Sequence, residues 1–339
     1  MTNSLIENWT NYSMRLRKTV NPDFFKIRNL SSEFVTKLPQ EAQNELYNEM
    51  NRGALPLGSE PEMSMYMFAY GKMHYEKLLR AFEQIPTAFF ENQIEIIDYG
   101  CGQAMGLIAY ADFIRQKGYS QKITNITLIE PSNLTISRAI LHANQIFPNV
   151  TVNAVCKSLD DLEDTDIQTD ASTTKLHIFS NIIDVELFSI SQLSDFIKQK
   201  FDGNNQFVCV SPFFGSTNSR ANRLDEFMNL IATSNVYSEN LGKNEWINGW
   251  TCSIRVYAML SINFLKTDES TEKVKLLYLN AEKGDPTSQV NLGVCYFTGD
   301  GVEKNYNEAY KWNLLAAKQG DIIGLKNIGI CCTKTPHVG

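Results

Sequence analysis

Asp98, Gly100, Gly102 and Ala104 fall at two-residue intervals directly after the apolar run Ile94, Ile96, Ile97, and Glu130 follows Asp98 by 32 positions at the end of a second apolar run. Glycines at this spacing let a backbone approach a ligand with no Cβ in the way. The intervening segment, through Leu107, Ile108 and Phe113 to Gly118, carries helical periodicity. The pattern is a strand, a glycine turn, a helix and a second strand, and in open α/β sheets ligands bind where such a turn leaves the strand. The dinucleotide fingerprint G-x-G-x-x-G needs a glycine at 105, where Met105 stands, with Gly106 one place late. That spacing disfavours a nicotinamide-dependent oxidoreductase. The plain structural alternative is a tight strand-to-helix turn and a solvated acid at a strand end.

The spacing D-x-G-x-G-x-G/A is met by Asp98, Gly100, Gly102 and Ala104, and it is similar to motif I of class I S-adenosylmethionine (SAM) methyltransferases. The resemblance implies SAM as cofactor, held by Asp98, Gly100, Cys101, Gly102 and Ala104, with Glu130 accepting hydrogen bonds from both ribose hydroxyls. After the expected third strand (150–156), Ser158, Leu159 and Asp160 are the adenine candidates; Ser158 stands where the family often has Asp. A fourth strand, Leu176–Phe179, ends in Ser180 and Asn181, the edge that faces the transferable methyl in such enzymes. No proline follows Asn181, unlike the tetrapeptide that accompanies methylation of exocyclic base amines. Cys209 lies inside an apolar strand, the context of an inert buried thiol. No catalytic group is assigned by the resemblance; Asn181, Asp184 and a tyrosine such as Tyr70 are the candidates.

The remaining elements frame these residues. Positions 30–50 and 64–83 have amphipathic periodicity and predict two helices joined by a Gly/Pro-punctuated loop. Tyr66, Tyr70 and His74 share a face of the second, at i, i+4 and i+8, either as a lid over the site or as ordinary packing. Helices are expected over Ser137–Phe147 and around Gln192–Lys200, a fifth strand over 207–214, and the closing strands within 250–265. Arg220 and Arg223 suit either a grip on an anion or a solvated helix start. No histidine pair has metal-ligand spacing, so no metal is expected. Neither a G-x-S-x-G elbow nor a G-x-x-x-x-G-K-[ST] loop occurs.

Sliding the C-terminal segment against itself by 36 residues aligns Ala281 with Ala317, Gly284 with Gly320, Asp285 with Asp321, Asn291 with Asn327 and Gly293 with Gly329. Pro286 opens one helix and a second runs from about Tyr306 to Gln319. This pattern resembles the SEL-one-like repeats, relatives of the tetratricopeptide repeats. The resemblance implies a protein-interaction surface; a helical appendage packed on its own chain is the alternative.

These readings give a Rossmann-like α/β class I methyltransferase sheet with a helical cap at 1–90, the sheet domain at 91–266 and an all-α repeat segment at 270–339. The 339 residues carry a net charge of −7 and are 43% hydrophobic, which excludes general disorder and gives no strong nucleic-acid signal. No run reaches the ~18 apolar residues of a membrane span. Seven scattered cysteines read as reduced thiols, and the N-terminus lacks an apolar secretory core, so a cytoplasmic protein is expected. The functional expectation is SAM-dependent methyl transfer to an unidentified substrate, with the repeats as partner surface. A catalytically silent methyltransferase-like scaffold acting through its repeats is the alternative.

Overall fold

A computed structural model describes residues 9–50, 53, 56–212, 219–232, 241–261 and 269–332. The chain divides into two compact units, Met1–Met259 and Leu260–Gly339.

The larger unit is built on seven strands: β1 (Ile94–Tyr99), β2 (Ile123–Ile129), β3 (Thr151–Val155), β4 (Thr174–Ser180), β5 (Gly203–Ser211), β6 (Leu241–Ile247) and β7 (Trp250–Ser261). Their order is β3-β2-β1-β4-β5-β7-β6. β1 pairs in parallel with both β2 and β4, so the connection order reverses at β1. A doubly wound Rossmann-like sheet of this kind buries both faces. Alternation along β1 shows it: Ile94 and Ile96 enter one core with Ile126, Leu128, Leu176 and Ile178, whereas Ile97 and Tyr99 enter the other with Ile129 and Phe179.

On the first face lie α5 (Met105–Lys117) and α6 (Asn133–Ile146), joined by the N-terminal helices α1 (Trp9–Arg17), α2 (Phe24–Val35) and α4 (Glu60–Phe82), while α3 (Gln40–Glu49) packs on α4 in a smaller cluster. The second face is covered by α7 (Ile190–Lys200) and α8 (Ser219–Ala232). α4 starts at a Ser59 cap, whose oxygen accepts from the Glu62 amide. Its middle packs on α5 and its later turns reach the sheet beside β7: Arg80 pairs with Glu245 at 3.0 Å.

Three expectations change. The segment 30–50 is not one helix: α2 ends at Val35, and Pro39, which cannot continue it, opens α3. α6 begins four residues before Ser137, because Ser132 caps it through the Thr135 amide. The stretch 250–261 is a single strand whose antiparallel partner, β6, lies upstream. Their two-residue loop is Asn248-Gly249, with φ of 48° and 87°, the tight hairpin turn that Asn-Gly favours. Positions 213–214 of the expected fifth strand lie outside the described residues.

The smaller unit has four helices: α9 (Glu269–Glu282), α10 (Pro286–Thr298), α11 (Tyr306–Lys318) and α12 (Ile322–Cys332). The 36-residue register is structural: Asp285 caps α10 through the Ser288 amide, and Asp321 caps α12 through the Ile323 and Gly324 amides. Gly284 and Gly320 both take φ of 90°. α10 and α11 touch closely, since a Cβ on Gly293 would meet Asn313 Nδ2 at 2.3 Å. Trp312 fills the core with Val274, Tyr278 and Leu292.

Candidate functional site

The reversal of strand order at β1 opens a crevice at the carboxyl ends of β1 and β4. The β1 turn lies there. Gly100, Gly102 and Ala104 take φ of 57°, 53° and 62°, a left-handed series that winds the chain sharply into α5. At Gly100 a side chain is excluded twice, by φ and by Ile182 Cγ1, which an added Cβ would approach to 2.7 Å. At Gly102 an added Cβ would meet nothing within 4 Å, so the turn faces open space. The Cys101 amide donates to Ile129 O at 2.9 Å, tying the turn to β2. Burial holds the Cys101 thiol well above its ordinary range, in the protonated form.

Asp98 is fully buried at the end of β1, against the first turn of α5. Burial pushes it up to about 7; the Leu107 backbone N–H opposes the rise without reaching hydrogen-bond geometry, and the nearby Glu130 charge adds to it. Glu130 ends β2 and meets the turn: Oε2 accepts from the Gly102 amide and Oε1 from the Ser132 amide, each at 3.2 Å. Burial raises its pKa and these two donors oppose the rise. Each oxygen keeps a second lone pair. Ser158 precedes a 3₁₀ turn at Leu159–Asp161, with Leu159 buried beside Ile129 and Val155. Asp160 is engaged elsewhere, accepting from the Ser189 amide at 2.9 Å.

Beyond β4, Asn181 takes φ of 57° and its amide donates to Val210 O. Its side-chain Nδ2 lies 3.2 Å from Ser180 Oγ and 2.5 Å from His74 Nδ1, while its Oδ1 is buried with no partner among the described residues. Asp184 Oδ1 accepts from Ser211 Oγ at 2.7 Å. Arg223 does not face a ligand: it donates to Ile183 O and Phe188 O and so braces the loop after β4. The side chain of Arg220 lies outside the described residues.

α4 supplies the opposite wall. His74 is buried, and its pKa falls to about 3 through burial and the Lys77 charge, so the ring is neutral. Since Nδ1 accepts from Asn181, Nε2 carries the proton and donates to Tyr66 Oη at 3.0 Å. Burial raises the Tyr66 hydroxyl, and the Tyr70, Asp184 and Glu130 charges add to the rise. Tyr70 instead donates to Tyr47 Oη at 2.9 Å, toward the surface. Of the two tyrosines on that face, Tyr66 is the one linked through His74 to Asn181 at the end of β4. Lys77 is wholly buried, and its Nζ has no hydrogen-bond partner among the described residues.

Gln103 carried no signal in the sequence, yet it locks the turn. Its Nε2 donates to Met63 O at 2.9 Å, its Oε1 accepts from Arg138 Nη1 at 3.4 Å, and its carbonyl accepts from His142 Nδ1 at 2.8 Å. His142 Nε2 then accepts from Tyr12 Oη, and Arg138 pairs with Glu60 and stacks 3.8 Å over the Tyr12 ring. Among the described residues no three His, Cys, Asp or Glu side chains converge as a metal site, and no helix is long and apolar enough to cross a membrane.

The Sel1 repeat family model matches residues 286–321, within the smaller unit. No curated protein sequence matches the chain. Solved structures similar to it include the N-methyltransferase NodS of Bradyrhizobium japonicum with S-adenosylhomocysteine (SAH), at 9% identity, 56% of this chain, 88% of that one and a TM-score of 0.37. A SAM-dependent methyltransferase of Leishmania major matches at 10% identity over 62% of this chain and 82% of that one, with a TM-score of 0.37. The plantazolicin methyltransferase BpumL with SAH matches at 12% identity over 67% and 98%, with a TM-score of 0.38.

Proposed function

We propose that the larger unit is a SAM-dependent methyltransferase. The observation that carries this reading is the left-handed turn Gly100–Gly102–Ala104, open above Gly102, with the Glu130 carboxylate docked on the Gly102 amide at the switch point of the sheet. Gly100, Cys101 and Gly102 would cradle the methionine part of SAM, and Glu130 would accept from the ribose hydroxyls with its free lone pairs. Asp98 would support the turn from below. Leu159, with Ser158, would border the adenine. When bound, SAM supplies an electrophilic methyl group on a sulfonium.

The chain's own contribution is positioning. Ser180 and Asn181 end β4 beside the turn, and the contact of Ile182 with Gly100 holds the two loops in register. Tyr66, held by neutral His74, is linked through that ring to Asn181 at the end of β4. Rate would come mainly from proximity and alignment of the acceptor. Asp184, braced by Ser211, would take a proton where the acceptor must lose one. The buried free thiols at Cys101, Cys209, Cys252 and Cys295 support a reducing, cytoplasmic location.

The Sel1-like unit would recruit a protein partner; exposed Ile322, Ile323 and Leu325 on α12 support a docking role. A photo-crosslinker at position 325 should trap that partner, and the absence of any adduct would remove this part of the reading. The methyl-transfer reading is tested by calorimetric titration of SAM and SAH into the wild type and Glu130→Ala. Micromolar binding that weakens about tenfold in the variant, roughly 1.4 kcal/mol, is expected. No binding of either ligand to the wild type would overturn it.

A further inference from the structure

The turn after β1 ends in strain. Ala104 takes φ of 62°, a left-handed conformation that a Cβ disfavours and that persists only where the surroundings impose it. The peptide that enters Ala104 carries the Gln103 carbonyl, which accepts from His142 Nδ1 at 2.8 Å. The Gln103 side chain is tied as well, by Nε2 to Met63 O at 2.9 Å and by Oε1 to Arg138 Nη1 at 3.4 Å. Both ends of that side-chain amide are fixed by their partners, since a carbonyl only accepts and a guanidinium only donates.

The His142 ring gives these ties a direction. Because the Gln103 carbonyl can only accept, Nδ1 carries the proton; Nε2 is then the acceptor, and Tyr12 Oη donates to it at 2.7 Å. An oriented chain, Tyr12 O–H to His142 to Gln103 C=O, thus runs from α1 to the turn through buried residues. The Tyr12 ring makes a second contact, 3.8 Å beneath the Arg138 guanidinium, which also donates to Ser64 Oγ at 3.3 Å and pairs with Glu60 of α4. α1 has 9 residues, fewer than the roughly 12–15 a helix needs to persist alone in water. Its order therefore rests on what it buries, Tyr12 and Leu16, and on the bonds of Arg15 to Leu30 O and Glu33 of α2.

Resting on the methyl-transfer reading, we propose that α1 is a clasp on the cofactor turn, with Tyr12 and His142 as positioning residues that act through the Gln103 peptide. With α1 docked, the Gln103 carbonyl is held and the adjoining Gly102 amide stays aimed at Glu130. With α1 undocked, His142 Nε2 loses its donor, the ring is free to take its other tautomer, and the Gln103 carbonyl loses its partner. Part of the cofactor's binding free energy then goes into re-forming the turn. Such coupling is reciprocal: the factor by which α1 docking raises cofactor affinity is the factor by which cofactor favours α1 docking.

The test uses the full chain and SAH. Amide hydrogen exchange across residues 9–17 should slow by about fivefold or more when SAH is saturating, while exchange in α10 and α11 of the smaller unit stays unchanged. Calorimetric titration should show SAH binding about fivefold or more weakly to Tyr12→Phe, which keeps a ring beneath Arg138 and removes only the hydroxyl. In that variant SAH should no longer slow exchange in α1. A purely structural Tyr12 would lower Tm and speed α1 exchange at unchanged SAH affinity, and that result overturns the proposal. So does wild-type α1 exchange that saturating SAH leaves unaltered, a measurement that needs no variant to fold. A wild type that binds no SAH overturns the methyl-transfer reading itself, a separately visible result.

Discussion

The two sides of the crevice are built on different principles. On the β1 side, the turn is held by a dense polar network: Gln103 reaches Met63, Arg138 and His142, Arg138 pairs with Glu60, and Glu130 holds two backbone amides. On the β4 side, Asn181 and Lys77 each carry a buried polar atom with no partner among the described residues. The two sides differ in how densely they are tied rather than in completeness, since Asp98 Oδ1 and Oδ2, Glu60 Oε1 and Arg138 Nε on the β1 side are also buried without a partner among the described residues.

That contrast is most severely strained by Glu60→Ala. With Arg138 left charged and wholly buried, stability should fall by about 3–5 kcal/mol, measured by urea denaturation; a loss under 1 kcal/mol would show that the β1 side is not locked as described. Acid comes next. His74 and His142 have pKa values lowered to about 3 and about 4 by burial, against about 6.5 unfolded. The unfolded chain takes up protons first, so their stabilising contribution, present above pH 6.5, is lost as pH falls through 4. Asp98, raised to about 7, acts oppositely: it favours the fold at low pH and loses that contribution as pH rises through 7. With His177, likewise lowered to about 3 by burial, three buried histidines oppose Asp98 and the also raised Asp112, Glu130 and Glu282; net acid destabilisation, read as Tm against pH, is the expected result, and His142→Gln should flatten the curve.

Gly100→Ala should cost about 2 kcal/mol, from its left-handed φ and the clash with Ile182, and should weaken SAH binding; unchanged SAH affinity would detach the turn from the cofactor. The smallest change has the opposite sign. Lys77→Met should stabilise the ligand-free protein by about 1 kcal/mol, visible as a higher melting temperature. If it destabilises instead, Lys77 is satisfied within the fold and the two sides of the crevice do not differ as described.

What could be read from the residues alone was what depends on near neighbours. The apolar runs of β1, β2 and β4, the glycine spacing after Asp98, Glu130 at a strand end and the 36-residue register from Ala281 onward are all local or periodic, because strand alternation, turn chemistry and helix caps act over a few residues. β6 escaped notice because Leu241–Ile247 is short and largely polar; its signal lay in the Asn248-Gly249 turn rather than in its own pattern. Tertiary structure alone decided that Tyr66 meets His74 whereas Tyr70 meets Tyr47, that Arg223 braces a loop, and that Gln103 ties the turn to α4 and α6. Each of those roles depends on what a side chain meets across the fold, from the 35-residue reach of Gln103 to Arg138 to the 107-residue reach of His74 to Asn181. Burial and hydrogen-bond satisfaction are properties of the assembled interior, and spacing along the chain does not encode them.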